Sequence, residues 1–414
     1  MTADLYAVER ALRAAAPHAL LGALTASLAP YGVFDVQLLM ADYSMTVLQP
    51  VSGLPRTAPP LAVHAGAAGR AFGTQRPYAE PLADQRPPRG GQPATLLHLP
   101  VSVRGDRLGV LSLALDADRL TAELRDELAE VAEMLGHQIV VAERDTDLYL
   151  QARRKDRLTL AAEMQWQLLP ARACSRAEYA IGAQLEPAYA VHGDSVDWSA
   201  TGDRLTLTIT NGMGEGIEAS LLTNLATSAL RNARRAGVGL ADQAALADQA
   251  VYGQYRGRAH VSVLLLEFHL DSGLVEIVDA GSPELLRLRD GLIERIPFEA
   301  QLPLGLADDT PYATQRIQVL PGDRLVFVSD GVHAVAGDGA RSDGRALARA
   351  IRAVRMLPAA DVPRRVLSEL VRHRGESPAD DALVVCLDWF GRPDRTEEGE
   401  DRSERPRCAS GVSD

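Results

Sequence analysis

The stretch TITNGMGEGIEASLL, residues 208–222, decides the fold of the C-terminal half of the chain. Threonines alternating with apolar residues over 203–210 predict a strand, and the glycines that follow predict a tight turn. Apolar residues then recur at helical spacing, which predicts a helix over 216–235. This order places Asn211 and Gly212 at a strand end, where side chains from distant parts of a sequence can converge.

Residues 171–390 contain further patterns of the same kind. Strands are predicted at 259–270, 273–281, 284–291, 323–331 and 382–389. Helices are predicted at 240–255, 343–355 and 361–374. The polar, mixed-charge residues 391–414 predict a disordered tail.

Acidic or amide residues follow several of these strands. They are Asp194 in HGDSVDW, Asn211, Asp330 in VFVSDGV, and Asp380 with Asp381 in SPADDALVV. Carboxylates are hard oxygen ligands that suit Mg²⁺ or Mn²⁺, and two such ions can activate a water and clamp a phosphoryl group. Asp-Gly and Asn-Gly are also the commonest turn dipeptides, so a structural turn is the better explanation of each position when it is taken alone.

The order of the motifs resembles SpoIIE-type phosphatase domains, the bacterial branch of the metal-dependent PPM (type 2C-like) serine/threonine phosphatases. The segments that carry the resemblance are AAEMQWQLLP (161–170), HGDSVDW (192–198), TITNGMGEGIEASLL, DAGSPELLRLRDG (279–291), the long segment 302–332, and ADDALVV (379–385). The resemblance implies a β-sandwich flanked by helices. It also implies hydrolysis of phosphoserine or phosphothreonine on a protein by in-line attack of water. In relatives the substrate is often a phosphorylated anti-sigma factor antagonist.

The same resemblance implies a site with two Mn²⁺ or Mg²⁺ ions. The matching positions are Asp194, Gly212, Asp330, Asp380 and its neighbour Asp381, of which Asp194, Asp330 and Asp380 are the predicted catalytic residues. Asn211 departs from the family, which has a bridging aspartate there, and Asn offers one neutral carbonyl oxygen in its place. Asp279 and Ser282 stand where the family has Asn and His. The alternative hypothesis is therefore a non-catalytic pseudophosphatase that binds a partner without turnover.

Residues 1–118 predict a mixed helix and strand domain. A helix is predicted over 7–29, a strand over 33–40, and a hairpin from 96–103 and 108–115 with a four-residue loop. VHAGAAGRAFGTQRPYAEPLAD (63–84) and the hairpin segment (99–116) resemble a GAF domain, which implies an α/β sensor. No cysteine precedes Cys174, which excludes a thioether-linked chromophore in this region. Three histidines could touch a haem, although scattered loop histidines are the simpler interpretation: His18, His64 and His98.

Residues 119–170 predict a helical linker between the two domains. Leu124, Leu128, Val131 and Leu135 form a short seam with coiled-coil spacing. One interpretation is an amphipathic helix that packs on its own domain. The other is a transmitter helix that pairs two chains into a homodimer.

Composition limits the remaining classes of protein to which the chain could belong. The chain has 414 residues, 46% of them hydrophobic, and a formal net charge of −12, which disfavours nucleic acid as a main partner. No stretch has the length of a membrane span, and the first residues do not predict a signal peptide. The widely spaced Cys174, Cys386 and Cys408 suit a reducing cytoplasm. The predicted fold class is thus α+β and multidomain: a GAF-type sensor, a helical linker, a PPM phosphatase domain over 171–390 and a tail.

Overall fold

A computed structural model describes residues 4–51, 59–82, 94–186, 193–281, 283–336, 343–374 and 381–392. Several positions singled out in the sequence lie outside these ranges: Ser282, Asp380, Cys408 and nearly all of the predicted tail. Among the described residues, Cys174 and Cys386 are free thiols. No helix of the described part of the chain is long and apolar enough to cross a membrane.

The N-terminal region is a six-stranded antiparallel sheet with helices on its faces. Its strands are β1 (Val33–Ala41), β2 (Val47–Pro50), β3 (Leu61–Ala62), β4 (Tyr78–Pro81), β5 (Ala94–Val103) and β6 (Asp106–Asp116), in the order β3-β2-β1-β6-β5-β4. Its helices are α1 (Leu5–Ala14), α2 (Leu20–Leu28), α3 (Gly66–Thr74) and α4 (Ala122–Ala142). Helix α3 covers one face of the sheet, and α1, α2 and α4 share a core with the other.

Two predicted elements of this region differ in detail. The single helix predicted over 7–29 is divided into α1 and α2, because Pro17 opens a separate short turn between them. The hairpin has a two-residue turn in place of the predicted four-residue loop. Arg104 and Gly105 both have positive φ, which is the backbone of a type I′ turn and lets the strands pair up to that turn.

The predicted helical linker is three helices: α4, α5 (Leu148–Ala152) and α6 (Leu160–Leu168). The seam of α4 lies inside its own domain, since Leu124 is 3% exposed and Leu128, Val131 and Leu135 are fully buried in the core shared with α1 and β5. The interpretation of this seam as a contact between two chains is therefore wrong. The spacing shows that one helix face is covered, but a sheet of the same chain covers it.

The C-terminal region is a sandwich of two antiparallel sheets. The first has the order β15-β12-β11-β10-β9, and the second has the order β14-β13-β16-β17-β8-β7. The strands are β7 (Ala173–Ser175), β8 (Tyr179–Glu186), β9 (Asp194–Ala200), β10 (Arg204–Gly212), β11 (Val261–His269), β12 (Leu274–Ala280), β13 (Glu284–Arg289), β14 (Leu292–Arg295), β15 (Gln315–Gln318), β16 (Arg324–Val328) and β17 (Ala382–Trp389).

Helices cover the outer face of each sheet. The first sheet carries α7 (Gly216–Arg235) and α8 (Leu240–Tyr255), and the second carries α9 (Asp330–Ala336), α10 (Asp343–Ala353) and α11 (Val362–Arg374). Between the sheets, inward residues such as Ile209, Leu264, Phe327 and Val385 form the main core. The predicted β-sandwich flanked by helices is confirmed.

The two regions are packed against each other. Tyr43, which follows β1, is 6% exposed and belongs to the sandwich core. Its ring stacks on Trp166 of α6, with the ring centroids 4.7 Å apart. An ion pair between Arg107 of β6 and Asp361, just before α11, adds a second contact, with Nη1 and Oδ1 2.7 Å apart.

Candidate functional site

Asp194 and Asn211 lie side by side at one end of the sandwich. They are register partners on β9 and β10. Both belong to the inward rows of their strands, which continue as Val196 and Ile209 in the main core. Asp194 is 2% exposed. The alternation that buries the apolar residues therefore also turns these two polar side chains into the space between the sheets.

Asp330 reaches the same place from the opposite sheet. It follows β16 and opens α9, and the Asn211 Nδ2 donates to its Oδ1 at 2.5 Å. The Gly331 N–H donates to the same oxygen at 3.0 Å. The reversed amide would set the Asn211 oxygen against a carboxylate oxygen, so Asp330 fixes which way the amide points. Asn211 thus presents an N–H group, where an aspartate would present an oxygen to a shared ion.

Asp381 joins the two sheets beneath these residues. It precedes β17 and is 2% exposed. Its Oδ2 accepts the backbone N–H groups of Gly193, at 2.7 Å, and of Asp194, at 3.1 Å. This contact positions the start of β9. That role differs from the ligand role predicted for Asp381, while the prediction for Asp380 falls outside the described residues.

Two glycines let the backbone close around the site. A Cβ atom on Gly193 would lie 2.4 Å from the carbonyl oxygen of Gly212, and one on Gly212 would lie 2.3 Å from the Thr223 Oγ1. The Thr223 hydroxyl donates to the Gly193 carbonyl at 2.8 Å. Because no side chain fits at either position, the Gly212 carbonyl stays close to Asp194 and Asn211.

Gln165 is a site residue that the sequence did not single out. It lies on α6, is 1% exposed, and donates from Nε2 to the backbone carbonyl of Asp194. The neighbouring Trp166 stacks on Tyr43. The segment 161–170 was part of the family resemblance, but only a tertiary contact shows that Gln165 holds β9.

Asp279 ends an inward row of β12 and is 7% exposed. Its Oδ1 accepts the N–H of Gly281 at 3.1 Å, which shapes the turn after the strand. Ser282, the other departure from the family in this element, is outside the described residues.

The donor set fits a divalent cation. It offers the carboxylates of Asp194 and Asp330, the amide carbonyl of Asn211 and the backbone carbonyl of Gly212, all of them oxygen ligands of the kind that Mg²⁺ and Mn²⁺ prefer. The close approach of Gly193 to the Gly212 carbonyl is consistent with a backbone oxygen that has to be held near these groups. A shared ion between Asn211 and Asp330 would have to break their hydrogen bond.

A second group of possible ligands is less suited to a metal ion. Atoms of Glu267, His269 and Glu276, on β11 and β12, lie within 4.8 Å of one another. Each carboxylate already has a guanidinium partner, Arg204 for Glu267 and Arg316 for Glu276. These arginines supply the positive charge that a metal ion would bring.

The three N-terminal histidines that could touch a haem have different surroundings. His18 and His64 are exposed. His98 is not a loop residue: it lies on β5 and is 4% exposed, with Nδ1 2.8 Å from the Ser112 Oγ and Nε2 3.3 Å from the Glu80 Oε1. Burial lowers the pKa of His98 despite the opposing effect of Glu80. Both ring nitrogens are engaged, so neither is left to bind iron.

Comparison with known proteins finds a family model that matches part of the chain. Residues 201–390 match the family model described as Stage II sporulation protein E (SpoIIE). None of the curated proteins matches the chain.

Several solved structures are similar. They include the RsbU and RsbW domains of Rv1364c from Mycobacterium tuberculosis, with 22% identity over 52% of this chain and 61% of that one and a TM-score of 0.46. The PP2C phosphatase domain of SpoIIE from Bacillus subtilis, with a fragment of its regulatory domain, has 17% identity over 52% and 65% of the two chains and a TM-score of 0.47. The SiaA-PP2C domain of Pseudomonas aeruginosa has 20% identity over 56% and 94% and a TM-score of 0.46.

The matched part of the chain spans less than two thirds of the first two of these structures. The family model covers β10, α7 and every later strand of the sandwich, together with Asn211, Gly212, Asp330 and Asp381. The similarity to the SpoIIE family model is therefore confined to residues 201–390, which include most strands of the sandwich.

Proposed function

We propose that the sandwich domain is a metal-dependent phosphatase that hydrolyses phosphoserine or phosphothreonine on a signalling protein. The observation that carries this proposal is the convergence of Asp194, Asn211 with Gly212, and Asp330 at one end of the sandwich. These residues come from three separate parts of the sequence and from both sheets.

The residues of the site have distinct tasks in this proposal. Asp194, Asp330 and the carbonyl oxygens of Asn211 and Gly212 would hold Mn²⁺ or Mg²⁺, and Asp380 is predicted to join them. A bound ion would supply a water of lowered pKa and positive charge beside the phosphoryl group. Asp381 and Gln165 have a positioning role, since their hydrogen bonds hold the backbone of Gly193 and Asp194 in place.

Asn211 determines how tightly we expect the site to bind metal ions and how fast we expect it to turn over. Carboxylates in a two-metal site offset the repulsion between two dications, and Asn211 removes one such charge. Its N–H bond to Asp330 also competes with an ion for that carboxylate. We therefore propose that one ion binds well, that the second binds weakly, and that turnover is low and favours Mn²⁺.

The Asn211–Asp330 hydrogen bond also favours a second candidate function. A domain in which this bond persists would bind a phosphoprotein without hydrolysing it. The two candidates differ in one measurable respect, which is whether the wild type hydrolyses a phosphate ester in Mn²⁺.

A phosphorylated anti-sigma factor antagonist is the proposed class of substrate, on the basis of the family resemblance. The N-terminal region is the proposed GAF-like sensor. The stacked Tyr43 and Trp166 support this regulatory link, because the adjacent Gln165 contacts the backbone of Asp194.

The experiment compares the wild type with Asn211→Asp in Mn²⁺-dependent hydrolysis of a generic phosphate ester and of a phosphorylated antagonist protein. We expect at least a tenfold gain, about 1.4 kcal/mol of barrier. Asn232→Asp, an exposed position on α7, is the matched control for the added charge. Mass spectrometry of fresh protein excludes deamidated Asn211. If Asn211→Asp binds two ions and still hydrolyses neither substrate, the non-catalytic function is the correct one.

A further inference from the structure

A cavity of about 390 Å³ lies where the N-terminal region meets the sandwich. From the N-terminal region it is lined by Ser44 and Thr46, in the turn between β1 and β2. From the sandwich it is lined by Gln184 and Glu186 of β8 and by one face of α11. Small-molecule sites have volumes of this order and occur preferentially where two domains meet.

Helix α11 gives the cavity an apolar strip beside a polar one. Leu367 and Val371 lie four residues apart, as do Arg364 and Ser368, so each pair shares a face of the helix. The Ser368 hydroxyl donates to the Arg364 carbonyl at 2.8 Å. A ligand in this cavity would therefore meet a guanidinium group and aliphatic side chains on the same helix.

The carboxylates near α11 are already paired with other arginines. Asp361 binds Arg107 through two contacts, Nη1 to Oδ1 at 2.7 Å and Nη2 to Oδ2 at 2.8 Å. Glu369 binds Arg372, which also lines the cavity, at 2.9 Å. Arg364 forms no ion pair with a carboxylate of the described residues.

The guanidinium of Arg364 is held through one nitrogen. Its Nη1 donates to the His64 Nε2 at 3.1 Å and lies 3.5 Å from the Met45 carbonyl oxygen. Its Nε and Nη2 hydrogens have no acceptor in the part of the chain that the structure describes. Two donors of one rigid fork are thus available to a ligand.

The surroundings of Arg364 disfavour its positive charge. Burial lowers the pKa of Arg364, and the charges of Arg365 and Arg107 lower it further, against the opposing effects of Asp361 and Glu186. An anion beside the guanidinium would compensate this charge, and a carboxylate matches its planar fork. Because Glu186 also lines the cavity, a ligand with one negative charge is favoured over a ligand with two.

We propose that this cavity binds a small monocarboxylate with an apolar body. The carboxylate accepts the Nε and Nη2 hydrogens of Arg364, and the apolar body packs against Leu367 and Val371. Such a ligand contacts the β1–β2 turn on one side and α11 on the other, so it bridges the two regions of the chain. The site is separate from the candidate metal site and does not depend on it.

The test is calorimetric titration of the full chain in EDTA with 4-methylpentanoate, the neutral 4-methylpentanamide, and acetate. Chelation keeps the candidate metal site from contributing to carboxylate binding. We expect 4-methylpentanoate to bind at least tenfold more tightly than either of the others, about 1.4 kcal/mol, because only it combines the charge with the apolar body. The proposal is overturned if 4-methylpentanoate does not bind, or if the amide or acetate binds equally well.

Variants at two positions locate the binding. Ser368→Asp places a carboxylate four residues after Arg364, where it can pair with the guanidinium, and should weaken 4-methylpentanoate at least tenfold. Ser368→Asn is its neutral control and should retain the affinity. Arg364→Met should bind the acid no more tightly than the amide, and the exposed Arg352→Met on α10 is its control. If Ser368→Asp and Arg364→Met bind like their controls while circular dichroism shows them folded, the carboxylate does not bind at Arg364 and the proposal is wrong.

Discussion

The carboxylates at the two ends of the sandwich have different hydrogen-bond partners. At the end where β16 begins, Asp323 accepts Arg289 Nε and Nη2, both at 2.6 Å, and Asp388 accepts Arg324 Nε at 2.5 Å and Nη2 at 2.7 Å. At the end where β16 stops, Asp330 accepts a side-chain amide and a backbone amide, and Asp381 accepts two backbone amides.

This difference separates carboxylates that are neutralised within the fold from carboxylates that accept neutral amides. A carboxylate paired with a bidentate arginine is neutralised within the fold. A carboxylate held by neutral amides is oriented but keeps its negative charge, which a cation can neutralise. The same strand therefore carries a structural end and an end suited to binding metal.

The largest expected effect on stability is at the end where Asp323 and Asp388 pair with arginines, called the paired end below. Arg324→Met removes the partner of Asp388 and three donor contacts to backbone carbonyls after α10, those of Val354, Arg355 and Leu357. Leaving the partly buried Asp388 carboxylate uncompensated should lower the free energy of unfolding by about 3 kcal/mol. Urea denaturation measures this, with the exposed Arg352→Met as control. Equal stability of the two variants would show that the paired end is not structural.

A smaller loss of folding stability is expected when an added methyl group overpacks the other end of the sandwich. Gly193→Ala would place Cβ 2.4 Å from the Gly212 carbonyl, and overpacking of this kind costs about 1–3 kcal/mol. It should also weaken Mn²⁺ binding, because the Gly212 carbonyl has to move. Gly202→Ala is the control, since nothing lies within 4 Å of its added Cβ. Unchanged Mn²⁺ affinity in Gly193→Ala would remove the Gly212 carbonyl from the proposed site.

The contribution of the paired end to folding stability should also decrease at low pH. Burial raises the pKa of Asp323, but hydrogen bonds from Arg289 and the Leu320 N–H, with the charge of Arg289, outweigh it and lower the pKa below 3.8. A lowered carboxyl pKa gives stability that is present above the unfolded value and is lost as pH falls through the folded value. We expect unfolding free energy to fall below about pH 4. The fall should be shallower in Asp323→Asn, and an identical slope would contradict the assignment.

The smallest effect on stability is expected at Asp330, which is exposed. Asp330→Asn keeps an acceptor for Asn211 and should change the unfolding free energy by less than about 0.5 kcal/mol without metal. It should nevertheless abolish the rise in melting temperature that Mn²⁺ gives the wild type. The exposed Asp308→Asn is the matched control. Retention of the full Mn²⁺ shift in Asp330→Asn would show that the charge at this end does not hold the ion.

Local pattern predicted much of the fold. Helices Gly216–Arg235 and Leu240–Tyr255 have the predicted bounds, since glycine turns and helical spacing mark them directly. Strand Ala382–Trp389 was also predicted with its bounds. The seam on α4 left two interpretations open, because periodicity reveals a buried face and not the surface that buries it; the structure confirms packing on its own domain.

The candidate site was predicted only in part. The sequence places Asp194, Asn211 and Asp330 at strand ends, and the family resemblance groups them. It does not reveal that the Asn211 amide bonds Asp330, which is 119 residues away, or that Asp381 accepts the amides that begin β9. Nor does it reveal Gln165, whose amide could serve many roles on a helix.

The sequence by itself determined the elements, the chemistry available at their ends and the missing carboxylate at position 211, because these depend on residue type and short-range spacing. Only the tertiary structure decided which carboxylates are neutralised. That choice depends on which arginines and amides the strand register brings within hydrogen-bond distance, and strand register is a property of the whole sandwich.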